Sequence, residues 1–264
     1  MNSRNILKDE ETKQVKSKTI LDKLKTDYFL DRIFNIMSKK KSLEIMKCNK
    51  KLQKKMKINV NDYKAYSQKY SSIEIELKVV EKKNSSNKFI NIPEEKKEYY
   101  HIYFNDSNNE IKRNYLMKNE KIKKIKIIID YQVQSFKYLF FDGHCISSIY
   151  FKKFSRNNIT DMSWMFGWCS SLKELNLTNF NTDNVTDMNH MLFKCSSLEK
   201  VTIPNFNSTK VTNMSSMFSW CTSLKELNIP NFNTNNVTDM SMMFLQCPDE
   251  LKKKIKEQNK NLEI

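Results

Sequence analysis

Glycine is nearly absent from this chain of 264 residues, which holds two, Gly143 and Gly167. A phosphate-cradling loop needs several glycines in one tight turn, so a nucleotide site of that kind is excluded. Histidine is almost as scarce, and His101, His144 and His190 lie in different segments with no local carboxylate or thiol arrangement that points to a triad. The six cysteines include no Cys-x-x-Cys pair and meet no paired histidine, which removes the common zinc patterns. Apolar runs are short, as in Ile127-Ile128-Ile129 and Tyr138-Leu139-Phe140-Phe141, far below a membrane span. The opening Met1–Glu11 lacks the apolar core of a signal peptide. These absences predict an intracellular, cytoplasmic protein with no catalytic residue, no metal site and no cofactor, surface display by an unrecognised route being the alternative.

What the chain does have is a 26-residue period. Units begin at Ile159, Val185, Val211 and Val237, with a divergent one at Val133. They align Met162, Met188, Met214 and Met240 in one column and Met165, Met191, Met217 and Met243 in another. Phe166, Leu192, Phe218 and Phe244 form a third, and Cys169, Cys195, Cys221 and Cys247 a fourth. Fixed apolar columns at a constant period predict a solenoid, because one unit cannot bury its own apolar face and must stack on its neighbours. Leu175 and Leu177 stand at strand spacing, whereas Met162, Met165 and Phe166 fall at i, i+3 and i+4, which predicts a short helix capped by Thr160 or Asp161. The expected coil is strand, turn, short helix, turn, closed at the far end by a capping helix over 248–264. The four aligned cysteines are expected to be reduced and buried as small hydrophobes.

Residues Met165-Phe166-Gly167-Trp168-Cys169-Ser170-Ser171-Leu172 through Leu177, with their copies at Met217–Ile229 and Leu192–Ile203, resemble the units of BspA-like leucine-rich repeat proteins. That resemblance covers about 133–250. It implies an α/β leucine-rich repeat solenoid, with a parallel β-sheet on the concave side and short helices on the other, used to bind other macromolecules and in some organisms displayed on the cell surface. The protein-binding face it implies is formed by Glu174, Asn176, Thr178, Lys200, Thr202, Glu226 and Asn228, which alternate with the buried leucines. That face is polar and nearly neutral, without the Trp, Tyr and Arg that dominate binding hot spots. Trp168 and Trp220 share a different column, and they mark either a partner surface on the helical side or packing at its edge.

With glycine so rare, the asparagine columns Asn179, Asn205, Asn231 and Asn181, Asn207, Asn233 are expected to take the left-handed backbone positions. Charges beside the strand alternate from coil to coil, Glu174, Lys200, Glu226 and Lys173, Glu199, Lys225, which predicts ion pairs that set stacking register.

Charge separates the chain into two parts. Residues 1–130 carry 32 Lys+Arg against 18 Asp+Glu, a net of +14, whereas 159–247 carry 5 against 7, a net of −2. A basic half admits nucleic acid as a partner, yet lysine greatly outnumbers arginine and no binding motif accompanies the runs, so a protein partner is favoured. The expected organisation is a disordered tail over 1–18, a helical segment over 19–71, a mixed strand segment over 72–132, the solenoid over 133–247 and the cap. Residues Tyr28–Leu43 with Cys48–Leu52 resemble an F-box, a module that docks substrate receptors onto a ubiquitin ligase, although the Leu-Pro entry and late Trp of that motif are absent. The functional expectation is a non-catalytic protein-protein interaction scaffold, with an F-box-like ligase adaptor and a cell-surface adhesin as alternatives.

Overall fold

A computed structural model describes residues 71–80, 87–130, 133–154, 156–204, 206–228 and 233–258, together with Lys50 and Lys54. The chain divides into two compact units, 1–70 and 71–264. The tail expected over 1–18 and, apart from those two lysines and Ser71, the helical segment expected over 19–71 with its F-box-like stretch lie outside the described residues.

In the second unit, alternating sequences make strands with one buried side. Ile73–Val79 (β1) buries Ile73, Ile75, Leu77 and Val79, and Lys124–Ile129 (β4) buries Ile125, Ile127 and Ile129. Tyr100–Phe104 (β2), reached through the 3-10 helix Glu94–Tyr99, and the short Glu110–Ile111 (β3) complete an antiparallel group. Ile146–Lys153 (β5) is the joint. It pairs antiparallel with β1 on one side and parallel with Glu174–Asn176 (β6) on the other. Lys200–Thr202 (β7) and Glu226–Asn228 (β8) continue the parallel run, so Ile149, Leu175, Val201 and Leu227 stand in one row. The result is a single mixed sheet of eight strands in the order β3-β2-β4-β1-β5-β6-β7-β8. The one described α-helix, Asp249–Gln258 (α1), packs Leu251 and Ile255 under the last coil.

This overturns the expected α/β leucine-rich repeat solenoid with its layer of short helices. The Met columns are buried as the spacing requires, but the segment that carries them is a ribbon of tight turns. In one coil, the N–H groups of Met165, Gly167 and Cys169 bond the carbonyls three residues back, at 3.2, 3.1 and 3.1 Å. The N–H groups of Met162, Trp164, Phe166 and Trp168 instead leave the coil and reach the carbonyls of Asp187, Asn189, Met191 and Phe193 in the next, at 2.9, 3.0, 2.9 and 2.7 Å. A helix would return every N–H to its own chain four residues back. Spacing of i, i+3, i+4 serves both arrangements, so periodicity alone did not separate them.

The asparagine expectation is corrected as well. Among the described residues, ten of the thirteen non-glycine positions with positive φ lie in this ribbon, two per coil: Tyr138 and Asp142, Trp164 and Trp168, His190 and Lys194, Ser216 and Trp220, Met242 and Gln246. Neither glycine is among them. Gly143 is needed for space, since a Cβ there would lie 2.6 Å from Ile146 Cδ1 and 2.8 Å from the Phe140 carbonyl oxygen. The asparagines hold turns through their side chains: Asn181 Oδ1 accepts from Asp183 N, Asn207 Oδ1 from Thr209 N and Asn233 Oδ1 from Asn235 N. Asp161, Asp187, Asn213 and Asp239 do the same at the start of each ribbon, accepting the N–H two residues on, and they form a second ladder of parallel bridges.

Candidate interaction surfaces

Two outward surfaces remain once the core is closed, one over the strands and one over the turn ribbon. On the strand side Glu174, Asn176, Lys200, Glu226 and Asn228 are exposed, Thr178 is exposed beyond the end of β6 and Thr202 is half-buried. The structure draws four of these seven together. Lys200, Thr202, Glu226 and Asn228 line a hollow of about 270 Å³ whose other wall is α1, through Leu251, Lys254 and Ile255. Glu174, Asn176 and Thr178 are not part of it.

Much of the charge on this side is already committed. Lys200 Nζ lies 2.6 Å from Glu226 Oε2 and Lys225 Nζ 3.0 Å from Glu199 Oε2, each pair joining adjacent coils. The hydrogen bond from Lys200 holds the Glu226 carboxyl below its ordinary range, and Glu226 in turn raises Lys200. Both pairs are well exposed, which makes them markers of register rather than of stability.

The ribbon side carries the large aromatics. Tyr138, Trp164 and His190 occupy one column, stacked coil on coil. Tyr138 lies 6.1 Å from Trp164 at 29°, and Trp164 lies 4.1 Å from His190 at 7°. Trp168, Lys194 and Trp220 occupy the other left-handed column. The Lys194 ammonium sits 4.1 Å from the Trp168 ring and 5.5 Å from the Trp220 ring, a cation held between two π faces. Both indoles stay open to solvent, Trp168 at 36% and Trp220 at 41%. Nine of the ten left-handed side chains of the ribbon are exposed or half-buried, Ser216 alone being buried. The tryptophan column was visible in the sequence. Lys194 was not, because one lysine among so many carries no signal until its neighbours are placed.

The cysteines lie under the ribbon. Cys169, Cys195, Cys221 and Cys247 donate their S–H groups to the carbonyls of Phe140, Phe166, Leu192 and Phe218, at 3.1, 3.0, 3.2 and 3.0 Å. Burial pushes every one of these thiols up, Cys247 and likewise Cys145 to about 11.

Polar side chains meet in two further places that sequence spacing did not reveal. His144 Nε2 lies 2.8 Å from Asp142 Oδ1, and its Nδ1 lies 2.8 Å from Ser170 Oγ one coil on. The order carboxylate, imidazole, hydroxyl is that of an activated nucleophile. Here the Ser170 N–H is spent on the Trp168 carbonyl at 2.8 Å, and the two cavities described in this section do not touch the group. It ties the first coil to the second. His101 bridges Glu110 and Asp130 at 3.0 and 3.4 Å on the antiparallel part. The second cavity, about 470 Å³, opens beside Tyr100 and Ile102 and is walled by Arg113, which is itself bonded to Glu120. Among the described residues no group of three or more His, Cys, Asp or Glu could hold a metal ion, and no helix is long and apolar enough to cross a membrane.

Residues 134–259 match a family model described as "Mycoplasma protein of unknown function, DUF285". The matched span is the repeats and the C-terminal helix, and it is compatible with a BspA-like relationship over that part of the chain. It speaks neither for leucine-rich repeats as such nor for an F-box. No curated protein matches the chain, and no solved structure does.

Proposed function

We propose that this chain is a non-catalytic protein-binding module whose contact surface is the turn-ribbon face rather than the strand face. The observation that carries the reading is the Trp168–Lys194–Trp220 column, two half-open indoles with a cation between them. Tryptophan buries a large rigid area at little entropic cost, and exposed aromatic anchors of this kind dominate binding energy at interfaces. The strand face offers small polar groups and ion pairs already satisfied across coils. The family model that matches the repeats is one of unknown function and names neither a role nor a partner.

The test is site-specific photocrosslinking in the native cell. A photoreactive residue at Trp168 or Trp220 should trap a discrete protein partner, and one at Asn176 or Asn228 should not. Capture from the strand positions alone would move the site to the face first expected from the sequence. Trp168→Ala combined with Trp220→Ala should weaken capture by a probe at a neighbouring ribbon position at least about tenfold, the effect of losing one hot-spot side chain.

A further inference from the structure

Hydrogen bonding along the ribbon has a direction. From Asp161 to Trp168 and in the matching stretches of the other coils, the carbonyls of the odd positions point back and the N–H groups of the even positions point forward. The carbonyls of Asp161, Ser163, Met165 and Gly167 accept from Phe136, Tyr138, Phe140 and Asp142, and the same pattern recurs from coil to coil. Along the ribbon proper each coil therefore presents a row of acceptors on one edge and a row of donors on the other, whereas just before it the carbonyls of Thr160, Thr186 and Thr212 run the other way and accept the N–H groups of Thr186, Thr212 and Thr238 in the next coil.

The two ends of the stack are finished differently. At the acceptor end, Asn91 closes the first coil. Its N–H bonds the Leu139 carbonyl at 2.7 Å, and its Nδ2 bonds the carbonyls of Tyr138 and Phe141, both at 2.8 Å. At the donor end, the carbonyls of Asp239, Ser241, Met243 and Leu245 are taken by Met214, Ser216, Phe218 and Trp220 at 2.8, 2.9, 3.0 and 2.7 Å. The N–H groups of Met240, Met242, Phe244 and Gln246 meet no acceptor among the described residues. The C-terminal helix closes only the strand half of this end, where Leu251 and Ile255 are buried. On the ribbon half Met242 is 66% and Leu245 41% exposed.

We propose that this open donor edge seats the carbonyl edge of one more coil of the same 26-residue pattern, supplied by another polypeptide. Complementarity selects the occupant. The protein shows four times over that such an N–H row is completed by the carbonyl row of a coil of this pattern, and the open edge continues that established interface. Two rows of N–H groups cannot satisfy each other, so a second copy of the same row does not complete this one. Head-to-tail stacking of the chain on itself is opposed where Asn91 already occupies the carbonyls of Leu139 and Phe141, two of the four in the acceptor row. Met242 and Leu245 supply apolar area for the incoming coil to cover. The inference stands apart from the tryptophan column, which faces outward along the side of the stack.

The experiment uses the full chain and a synthetic peptide spanning 208–228, whose carbonyls at Asn213, Ser215, Met217 and Ser219 take the N–H groups of Met188, His190, Leu192 and Lys194 within the protein. Amide hydrogen exchange is followed residue by residue. In the free chain the amides of Met240, Met242, Phe244 and Gln246 should exchange rapidly while those of Met214, Ser216, Phe218 and Trp220 are protected. Saturating peptide should slow the first four at least about tenfold and leave a scrambled peptide without effect. Met240→Pro removes a donor that bonds nothing among the described residues, next to a residue already extended in the bridge ladder, and should weaken peptide binding about fivefold. The loss of a side chain partly buried against the core also lowers stability, which the melting temperature reads separately. Protection already present in the free chain, absence of protection at millimolar peptide, or equal protection by inorganic sulfate would each overturn the proposal, the last by showing an anion site instead. Should Met240→Pro fail to fold, exchange on the unaltered chain decides.

Discussion

The imidazole of His190 lies flat on the indole of Trp164, 4.1 Å between centroids and 7° between planes. Burial in this stack lowers the His190 pKa from its ordinary value, and the carboxylates of Asp187 and Asp239 only partly oppose it. The folded protein thus favours neutral imidazole. Above a pH of about 6.5, the value in the unfolded chain, the contribution is fully present. As the pH falls below that, the unfolded chain takes up a proton first and stability drops until the folded pKa is passed. Titration by NMR should place His190 below the ordinary histidine value, and Trp164→Ala should raise it towards that value.

Backbone conformation at the last coil gives a sharper test of the ribbon. Gln246 is exposed with φ of 60°, a region that strains any residue with a Cβ and most of all a β-branched one. Gln246→Gly should leave the melting temperature unchanged or raise it, by up to about 1 kcal/mol in stability, the relief of strain being partly offset by the freedom of glycine in the unfolded chain. Gln246→Val should lower it by about 1 kcal/mol or more. A helix at this position would reverse the order, because glycine is the poorer helix former.

Thiol chemistry reports the core. With Cys145, Cys169, Cys195, Cys221 and Cys247 all buried and their pKa values raised, alkylation at pH 8 mapped by mass spectrometry should leave these five unmodified until denaturant unfolds the chain. Because the folded state holds each thiol protonated, stability should decline as the pH rises past about 8.5, where the unfolded thiols ionise. Rapid native labelling of any aligned cysteine would contradict the stacking.

The Asp142–His144–Ser170 group offers a check on the non-catalytic reading. If its hydrogen bonds only tie two coils together, the chain should hydrolyse p-nitrophenyl acetate no faster than Ser170→Ala does, while Ser170→Ala should cost about 1 kcal/mol of stability, the worth of one hydrogen bond. A rate that depends on Ser170 and follows the titration of His144 would make the group a working nucleophile and end that reading.

Much of the local structure was legible in the residues. Alternation at Ile73–Val79 and Lys124–Ile129, and the 26-residue columns of Met, Phe, Cys and Leu, are one-sided burial written directly into the chain. The fold class was not, for two physical reasons. First, i, i+3, i+4 spacing records which side chains point inward and not where the N–H groups go, so the ribbon at Met162–Cys169 passed for a helical turn. Second, β5 joins β1 across some seventy residues, an antiparallel pairing that no local pattern encodes. Left-handed positions were sought at asparagine on general grounds, yet stacking placed them at Trp164, Trp168, His190 and Lys194, where the next coil fixes the backbone. Of the contact surfaces, the polar strand residues followed from alternation. The Trp168–Lys194–Trp220 sandwich needed the backbone to bring its cation into place.

The most direct measurement is of scalar couplings through the hydrogen bonds of an isotopically labelled sample. Coils joined as described here require couplings from the amide nitrogens of Trp164, Phe166 and Trp168 to the carbonyl carbons of Asn189, Met191 and Phe193. Couplings running instead from each amide to the carbonyl four residues earlier within 160–169 would restore a helix, dissolve the donor and acceptor edges, and contradict the account.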